Sequence, residues 1–271
     1  MSSQTVLRAL VTGATGGIGR ATCFALADAA RARGQRCAIA ISASRSGPAL
    51  DTLAAGLHAA GAAAFPLNAD LNDPDACATL GRAAVAACGG LDLLVSNAGV
   101  VRGAPLATLE VADWDAVFAI DARATWLLAR AVRPALAQSR GAIVAVASVS
   151  GLHPFPGLGA YSPAKAALIM LCRQLAQEWA ADGIRVNSVS PGLVRTPLTE
   201  PLYRDTELLR RREDIVPLGR IATPEDVAAA IVHLGGPGAA YVTGVDLRLD
   251  GGLCDRVLGA IPGLPRSAAP A

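Results

Sequence analysis

The chain has 271 residues, enough for one large α/β domain or two small ones. Apolar residues make up 52% of it and charged residues 17%, which excludes a disordered chain, and no apolar run reaches the roughly 18 residues of a membrane span. The formal net charge is +2 and no long basic block occurs, so neither a nucleic-acid nor a membrane partner is expected.

Short β-rich runs alternate with Ala-rich stretches of helical spacing along most of the chain. Parallel strands need crossovers that cover both faces of a sheet, so this alternation predicts a single-domain, doubly wound α/β fold of the Rossmann type, with seven parallel strands and helices on both faces. The predicted strands are Val6–Thr12, Cys37–Ser42, Ala63–Leu67, Leu91–Ser96, Ala142–Ala147, Arg185–Ser190 and Val245–Leu249. The predicted helices cover about 17–32, 48–60, 74–88, 110–138, 160–181 and 224–235.

No linker divides the chain, and we therefore assign residues 1–258 to one domain. The segment of about 193–222 interrupts the alternation and is rich in Pro, Leu and Arg, which is typical of a lid or a binding loop. Residues 259–271 are predicted to form a flexible tail.

The cysteines and the first residues bear on the cellular compartment. The six cysteines contain no C-x-x-C pair and no ligand spacing, so we expect buried reduced thiols, no disulfide framework and no metal site. The start of the chain, Met1 to Thr5, lacks the basic and apolar stretches of a secretory signal. A cytoplasmic protein is expected.

A glycine-rich turn follows the first predicted strand directly, as Thr12-Gly13-Ala14-Thr15-Gly16-Gly17-Ile18-Gly19, and a helix follows the turn. Glycines at 13, 17 and 19 would let the backbone approach a pyrophosphate, which the helix N-terminus also attracts. This placement predicts a dinucleotide site, and a simple turn is the alternative.

The residues after the second strand indicate which nicotinamide cofactor is preferred. NAD sites usually place a carboxylate on the ribose about 20 residues beyond the glycines, whereas a 2′-phosphate favours an arginine. No acidic residue occurs between Asp28 and Asp51, and Ser44 and Arg45 stand at the strand end. We therefore predict NADP(H) in preference to NAD(H), the alternative being that Ser44 caps a turn and Arg45 is a surface charge.

Lys165 is the only lysine in the chain, and Tyr161 lies four residues before it, on the same face if the stretch is helical. One charge about 4 Å away, at an effective dielectric of about 20, is worth about 4 kcal/mol. That is enough to favour the phenolate that an acid/base tyrosine needs near neutral pH. We predict that Tyr161 is the acid/base and Lys165 its electrostatic partner; an ordinary surface pair is the alternative. Ser148, at the end of the fifth strand, can donate to a carbonyl oxygen.

The pattern T-G-x-x-x-G-I-G resembles that of the short-chain dehydrogenase/reductase family, and further matches extend from Thr12 to Gly252. They are Asp70-Leu71, Ser96-Asn97-Ala98-Gly99, Ser148, Tyr161-Ser162-Pro163-Ala164-Lys165, Asn187, Pro191-Gly192, Thr196 and Asp250-Gly251-Gly252.

The resemblance implies a carbonyl reductase or alcohol dehydrogenase that acts on a small-molecule carbonyl substrate, and the overall pattern is similar to that of 3-oxoacyl-carrier-protein reductases. It also implies a homodimer or homotetramer formed through the fourth and fifth helices, in which Trp126 and Trp179 could be buried. A catalytically weak dinucleotide-binding sensor or scaffold is the rival of another class. Combined with the reasoning above, the expected cofactor-binding residues are Gly13, Thr15, Gly17, Ile18, Gly19, Ser44, Arg45, Asp70, Leu71, Asn97, Ala98, Gly99, Tyr161, Lys165, Pro191, Gly192, Val194 and Thr196.

The resemblance fails at one position that bears on catalysis. Where the family usually has an asparagine that anchors a water molecule, this chain has Asp121. Asp121 is therefore the expected fourth catalytic residue beside Ser148, Tyr161 and Lys165. The alternative is that it pairs with Arg123 or Arg185 and takes no part in the chemistry.

Overall fold

The computed structural model describes residues 5–197 and 199–256, and this part of the chain forms one sheet of seven parallel strands in the order β3-β2-β1-β4-β5-β6-β7. The predicted doubly wound α/β fold is confirmed. The strands are β1 (Val6–Thr12), β2 (Arg36–Ala43), β3 (Ala63–Asn68), β4 (Leu93–Ser96), β5 (Ala142–Val146), β6 (Arg185–Pro191) and β7 (Asp246–Leu249). The main helices are α1 (Gly17–Ala32), α2 (Pro48–Ala59), α3 (Pro74–Cys88), α4 (Val111–Phe118), α5 (Ala124–Ser139), α6 (Tyr161–Trp179), α7 (Thr206–Asp214) and α8 (Pro224–Gly235).

Strand β1 lies at the centre of the sheet. Its Leu10 is opposite Ala40 of β2 on one side and Leu94 of β4 on the other, and it is fully buried. The strand order reverses between β1 and β4, because β2 and β3 extend the sheet in one direction and β4 to β7 extend it in the other. In open α/β sheets the ligand crevice lies outside the carboxyl ends of the strands at this reversal.

Helices cover both faces of the sheet. Leu26, Leu57 and Ile231, from α1, α2 and α8, belong to the core on one face. Leu80 and Leu128, from α3 and α5, belong to the core on the other face. Each such side chain contributes about 1.5–3 kcal/mol when it is removed from water, so two apolar layers hold the strand ends rigidly in place.

The predicted helix over 110–138 is not continuous. It consists of α4 and α5 with a π-helical segment, Ala119–Arg123, between them. A π-helical turn accommodates an extra residue and commonly occurs at functional sites. The segment contains Asp121, whose side chain is buried, with 1% of the residue exposed.

The segment 193–222 leaves the sheet and returns to nearly the same point, where Val194 and Ala222 form a parallel bridge. Within it lies α7, which the sequence analysis did not predict. The Asp205 side chain caps this helix by accepting hydrogen bonds from the backbone N–H groups of Glu207 and Leu208. The predicted tail, 259–271, lies outside the described residues.

The cysteines are all free thiols, and four of the six are buried. Burial raises the pKa values of Cys37 and Cys172 to about 12 each, so these thiols stay protonated. Cys88 and Cys254 are only partly buried, unlike the expectation for them. Among the helices that the structure describes, none combines the length and apolar character needed to cross a bilayer.

Candidate active site

A crevice of about 480 Å³ opens at the carboxyl edge of the sheet, where the strand order reverses. It brings together most of the residues predicted from the sequence, although they come from many parts of the chain. The predicted residues that line it are Gly13, Thr15, Gly17, Ile18, Ser44, Asp70, Leu71, Asn97, Ala98, Gly99, Ser148, Tyr161, Lys165, Pro191, Gly192, Val194 and Thr196.

Three predicted residues do not line the crevice, for different reasons. Gly19 lies behind the glycine turn, Arg45 lies exposed beyond Ser44, and Asp121 lies behind Lys165. Other lining residues were missed, although most directly adjoin predicted ones and could have been found from their position at the strand ends. The missed residues are Gly16, Ser42, Ala43, Ala69, Val100, Val101, Ile120, Val146, Ala147, Pro197 and Thr199.

The glycine turn has room for backbone only. Gly13 has φ +60°, and a Cβ there would lie 3.0 Å from the Cα of Ala98. A Cβ on Gly19 would lie 2.3 Å from the carbonyl oxygen of Gly13. Helix α1 begins at Gly17, so its N-terminal N–H groups adjoin the crevice. Such a backbone cradle at a helix N-terminus fits the pyrophosphate of a dinucleotide.

Asn97 ties the end of β4 to this turn. Its Nδ2 donates hydrogen bonds to the carbonyl oxygens of Thr12 and Gly13, at 2.9 and 3.1 Å. The Thr12 hydroxyl oxygen in turn accepts bonds from the backbone N–H groups of Asn97 and Ala98. The amide of Asn97 therefore shapes the crevice from behind.

Ser148 and Tyr161 reach the crevice from β5 and α6. Ser148 lies two positions beyond Val146, the last residue of β5, and is 9% exposed. Its Oγ accepts a hydrogen bond from the Ser150 N–H at 3.1 Å, and none of the described residues accepts its hydroxyl proton. That proton is available to a ligand. Ser150 is also buried but does not line the crevice, which favours Ser148 as the predicted donor.

Lys165 lies beneath Tyr161, one helical turn further along α6. Its Nζ is 5.5 Å from the centre of the Tyr161 ring and donates a 3.0 Å hydrogen bond to the carbonyl oxygen of Val146. The same atom is 3.4 Å from Oδ2 of Asp121. Burial opposes the charge of this amine, but the Asp121 carboxylate and the neighbouring Tyr161 together more than offset burial and raise the pKa of Lys165. The side chain is therefore an ammonium at neutral pH.

Asp121 forms the back of the site. Its Oδ1 accepts a 2.8 Å hydrogen bond from the backbone N–H of Val100. Burial raises the pKa of its carboxyl group, and the charge of Lys165 and the Val100 N–H partly offset that rise. The alternative prediction, that Asp121 pairs with Arg123 or Arg185, is wrong. Arg123 donates to the carbonyl oxygen of Asn72, and Arg185 donates to carbonyl oxygens at the end of α8.

The far end of the crevice is formed by the residues after β2 and β3. Ser44 lines it, and the Arg45 guanidinium beyond is exposed and has no hydrogen-bond or ion-pair partner among the described residues. Oδ1 of Asp70 accepts hydrogen bonds from the backbone and side-chain nitrogens of Asn72, which fixes this loop. An unpaired guanidinium beside a serine hydroxyl suits a phosphate group.

Comparison with known proteins decides the family. A family model described as enoyl-(acyl carrier protein) reductase matches residues 13–254. The 3-oxoacyl-[acyl-carrier-protein] reductase of Synechocystis sp. is 35% identical over 255 residues, which cover 93% of this chain and 99% of that protein. The chain belongs to the short-chain dehydrogenase/reductase family. It is accordingly an NAD(P)-dependent oxidoreductase, as the sequence resemblance implied.

Other members of the short-chain dehydrogenase/reductase family are similar to it over nearly their whole length. The cis-4-hydroxycyclohexanecarboxylate dehydrogenase of Sinomonas cyclohexanicum is 41% identical over 246 residues, covering 90% of this chain and 95% of that protein. The RhlG/NADP active-site complex of Pseudomonas aeruginosa superimposes with a TM-score of 0.83 at 31% identity, covering 92% of this chain and 96% of that one.

Proposed function

We propose that this oxidoreductase is an NADP(H)-dependent carbonyl reductase or alcohol dehydrogenase, which transfers a hydride between the nicotinamide and a ketone or secondary alcohol. The observation that carries the proposal is that Ser148, Tyr161 and Lys165 line the same crevice as the glycine turn. A proton donor and a hydrogen-bond donor thereby adjoin a dinucleotide cradle, as ketone reduction requires.

Each polar side chain has a defined task in this reaction. The cofactor, when bound, supplies the hydride for reduction or accepts it in oxidation. Tyr161 gives its proton to the carbonyl oxygen during reduction and takes it back during oxidation. Ser148 donates a hydrogen bond to the same oxygen as negative charge develops on it. The ammonium of Lys165 favours the deprotonated form of Tyr161, and Asp121 positions that ammonium.

The preference for NADP(H) rests on Ser44 and Arg45. No carboxylate occurs between Asp28 and Asp51 that would repel a 2′-phosphate, and the Arg45 guanidinium is unpaired among the described residues. The NADP complex of the Pseudomonas aeruginosa neighbour supports this preference. Arg45 lies outside the crevice lining, so its contribution requires the side chain to turn toward the phosphate.

The more specific candidate activity is reduction of 3-oxoacyl groups on an acyl carrier protein, which the similarity to the Synechocystis reductase favours. The similarity to the Sinomonas dehydrogenase favours a second candidate activity, the oxidation of alicyclic alcohols. The crevice residues do not distinguish the two, and a substrate screen does.

We further propose a homodimer or homotetramer in the cytoplasm. Trp126 is 41% exposed and lies beside an apolar groove lined by Phe118 and Leu171, which a second copy would cover. The expectation for Trp179 needs correction, because its own chain already buries it, with 8% of the residue exposed. The free thiols support a reducing compartment.

A matched screen of NADPH and NADH oxidation tests the proposed function, using acyl thioesters, sugars, steroids and small aliphatic or alicyclic ketones. We expect turnover with at least one ketone class and a higher kcat/KM with NADPH. The Tyr161→Phe variant should lose at least about 100-fold in kcat and still bind NADPH. Tight NADPH binding without turnover on any ketone would instead indicate a sensor or scaffold.

A further inference from the structure

The carboxylate of Asp121 is held inside the protein by one hydrogen bond and one charge. The π-helical segment Ala119–Arg123 places it behind the crevice, where Oδ1 accepts the Val100 N–H. Oδ2 is buried and receives no hydrogen bond from any described residue. The Lys165 ammonium, 3.4 Å away, is the group that compensates its charge.

An isolated carboxylate oxygen in this position would be costly, because burial strips it of water. An amide would fill the same volume and accept the same bond from Val100 without bringing a charge. The carboxylate therefore adds one thing that an amide does not, which is a negative charge facing Lys165. Gly99 packs closely against this pair and has no side chain that would crowd it. A Cβ there would lie 3.3 Å from Nζ of Lys165 and 3.4 Å from both carboxylate oxygens of Asp121.

The charged and titratable groups around the pair are few. Helix α6 presents Lys165 and Tyr161, and it also presents Cys172, whose buried thiol is neutral because its pKa is about 12. The loop after β4 presents only the Val100 N–H. Arg123, on the same π-helical segment, turns outward to the carbonyl oxygen of Asn72. The negative and positive charges beside Tyr161 therefore cancel.

We propose, on the basis of the function proposed above, that Asp121 is a positioning residue whose charge holds the chain's only lysine at the back of the crevice and sets the pH dependence of the reaction. Removing that charge leaves a net positive charge beside Tyr161. A positive charge favours the phenolate, so alcohol oxidation then reaches its plateau at lower pH.

The Asp121→Asn variant tests this, because the amide preserves the shape of the carboxylate. We expect the pH at which kcat/KM for alcohol oxidation is half its plateau to fall by about one unit or more. Asp246→Asn is the matched control: Asp246 also has a buried, unpartnered Oδ2, but its Oδ1 accepts bonds from Ser188 and Ser190 outside the crevice lining. The pH profile of kcat/KM for the Asp246→Asn variant should match that of the wild type.

A second readout does not depend on turnover. Because the chain has one lysine, protein labelled with ¹³C-lysine gives side-chain signals that belong to Lys165 alone. The wild-type signal should titrate above the pH at which a free lysine does, and the Asp121→Asn signal should titrate about one unit or more lower than the wild type.

Two results overturn the proposal: a lysine titration that the substitution does not move, or a rate that falls equally at every pH. A moved lysine titration in a protein that turns over no carbonyl compound or alcohol contradicts the proposed function and the proton-exchange role, and leaves only the Asp121–Lys165 pairing.

Discussion

Lys165 donates a hydrogen bond from Nζ to the carbonyl oxygen of Val146, and this 3.0 Å bond fastens α6 to the last residue of β5. The ammonium thus satisfies a backbone acceptor and a buried carboxylate together, while it lies under the ring of Tyr161. The stability of the fold and the proposed chemistry therefore both involve the Nζ atom of Lys165.

The Lys165→Met variant should be less stable by about 3 kcal/mol, because it leaves the Asp121 carboxylate buried without its counter-charge. Adding Asp121→Asn should restore part of the loss, about 1 kcal/mol or more, since the orphaned charge is then gone. Urea unfolding of the wild type, both single variants and the double variant measures the coupling. Strictly additive effects would show that the pair does not interact.

The Arg45→Ala variant should weaken NADPH binding about 10-fold, which corresponds to the loss of one exposed charge-assisted hydrogen bond. Binding of NADH should hardly change, because it has no 2′-phosphate. Isothermal titration with both cofactors measures this. Arg82→Ala, an exposed arginine on α3 that lies outside the crevice lining, is the control for a general change in charge. An equal loss of affinity for both cofactors would rule out a specific phosphate contact.

The Gly19→Ala variant should lose about 2 kcal/mol of stability and most of its dinucleotide affinity, because the new methyl group overlaps the carbonyl oxygen of Gly13. The Gly56→Ala variant should instead be more stable than the wild type. Gly56 lies inside α2, and its Cβ would lie 3.1 Å from the tip of the partly buried Phe24 ring, which has to move by a few tenths of an ångström. With that shift, the higher helix propensity of alanine should stabilise the chain by about 0.5–1 kcal/mol. Thermal unfolding with and without NADPH compares the two. A Gly19→Ala protein that binds NADPH normally would contradict the tight packing of the turn.

Asp226 makes stability depend on pH at the start of α8. Its hydrogen bond from Arg220 and the bonds of the capping box with Thr223 lower its pKa to about 2, from an ordinary value of 3.8. Because the folded-state pKa is depressed, the stabilisation is nearly complete above about pH 4 and is lost as the pH falls through the folded-state pKa of about 2. The carboxylate is partly exposed, so Asp226→Asn should lower the free energy of unfolding by about 1 kcal/mol at pH 7. At about pH 1, below both the folded and the unfolded pKa, the variant and the wild type should be equally stable.

The repeating parts of the fold were predictable because each depends on local pattern. Strands and helices alternate at spacings that allow only a parallel sheet, and the crevice residues follow the strand ends. Ser148, Tyr161 and Lys165 could be placed together from sequence because Tyr161 and Lys165 are four positions apart on one helix and Ser148 lies just beyond the end of β5. Helix periodicity and strand alternation, on which these predictions depend, act over only a few residues.

The features that sequence reasoning missed depend on contacts between distant segments. Nothing in Ala119–Arg123 itself signals a π-helical turn, and the burial of Asp121 results from its packing against α6 and the loop after β4. Its ion-pair partner is Lys165, whereas the arginine partners considered from sequence, Arg123 and Arg185, donate to backbone carbonyl oxygens instead. Helix α7 was missed because its sequence, TELLRRRED, is polar and shows almost no apolar face.

The bridge between Val194 and Ala222 brings the two ends of residues 195–221 back to one point on the sheet. That stretch therefore leaves the sheet and returns to it at one place, although its first residues, Thr196, Pro197 and Thr199, also line the crevice. Grafting only the equivalent of residues 200–221 from a relative, which leaves those crevice residues in place, should change which carbonyl compounds are accepted while the glycine turn keeps its geometry.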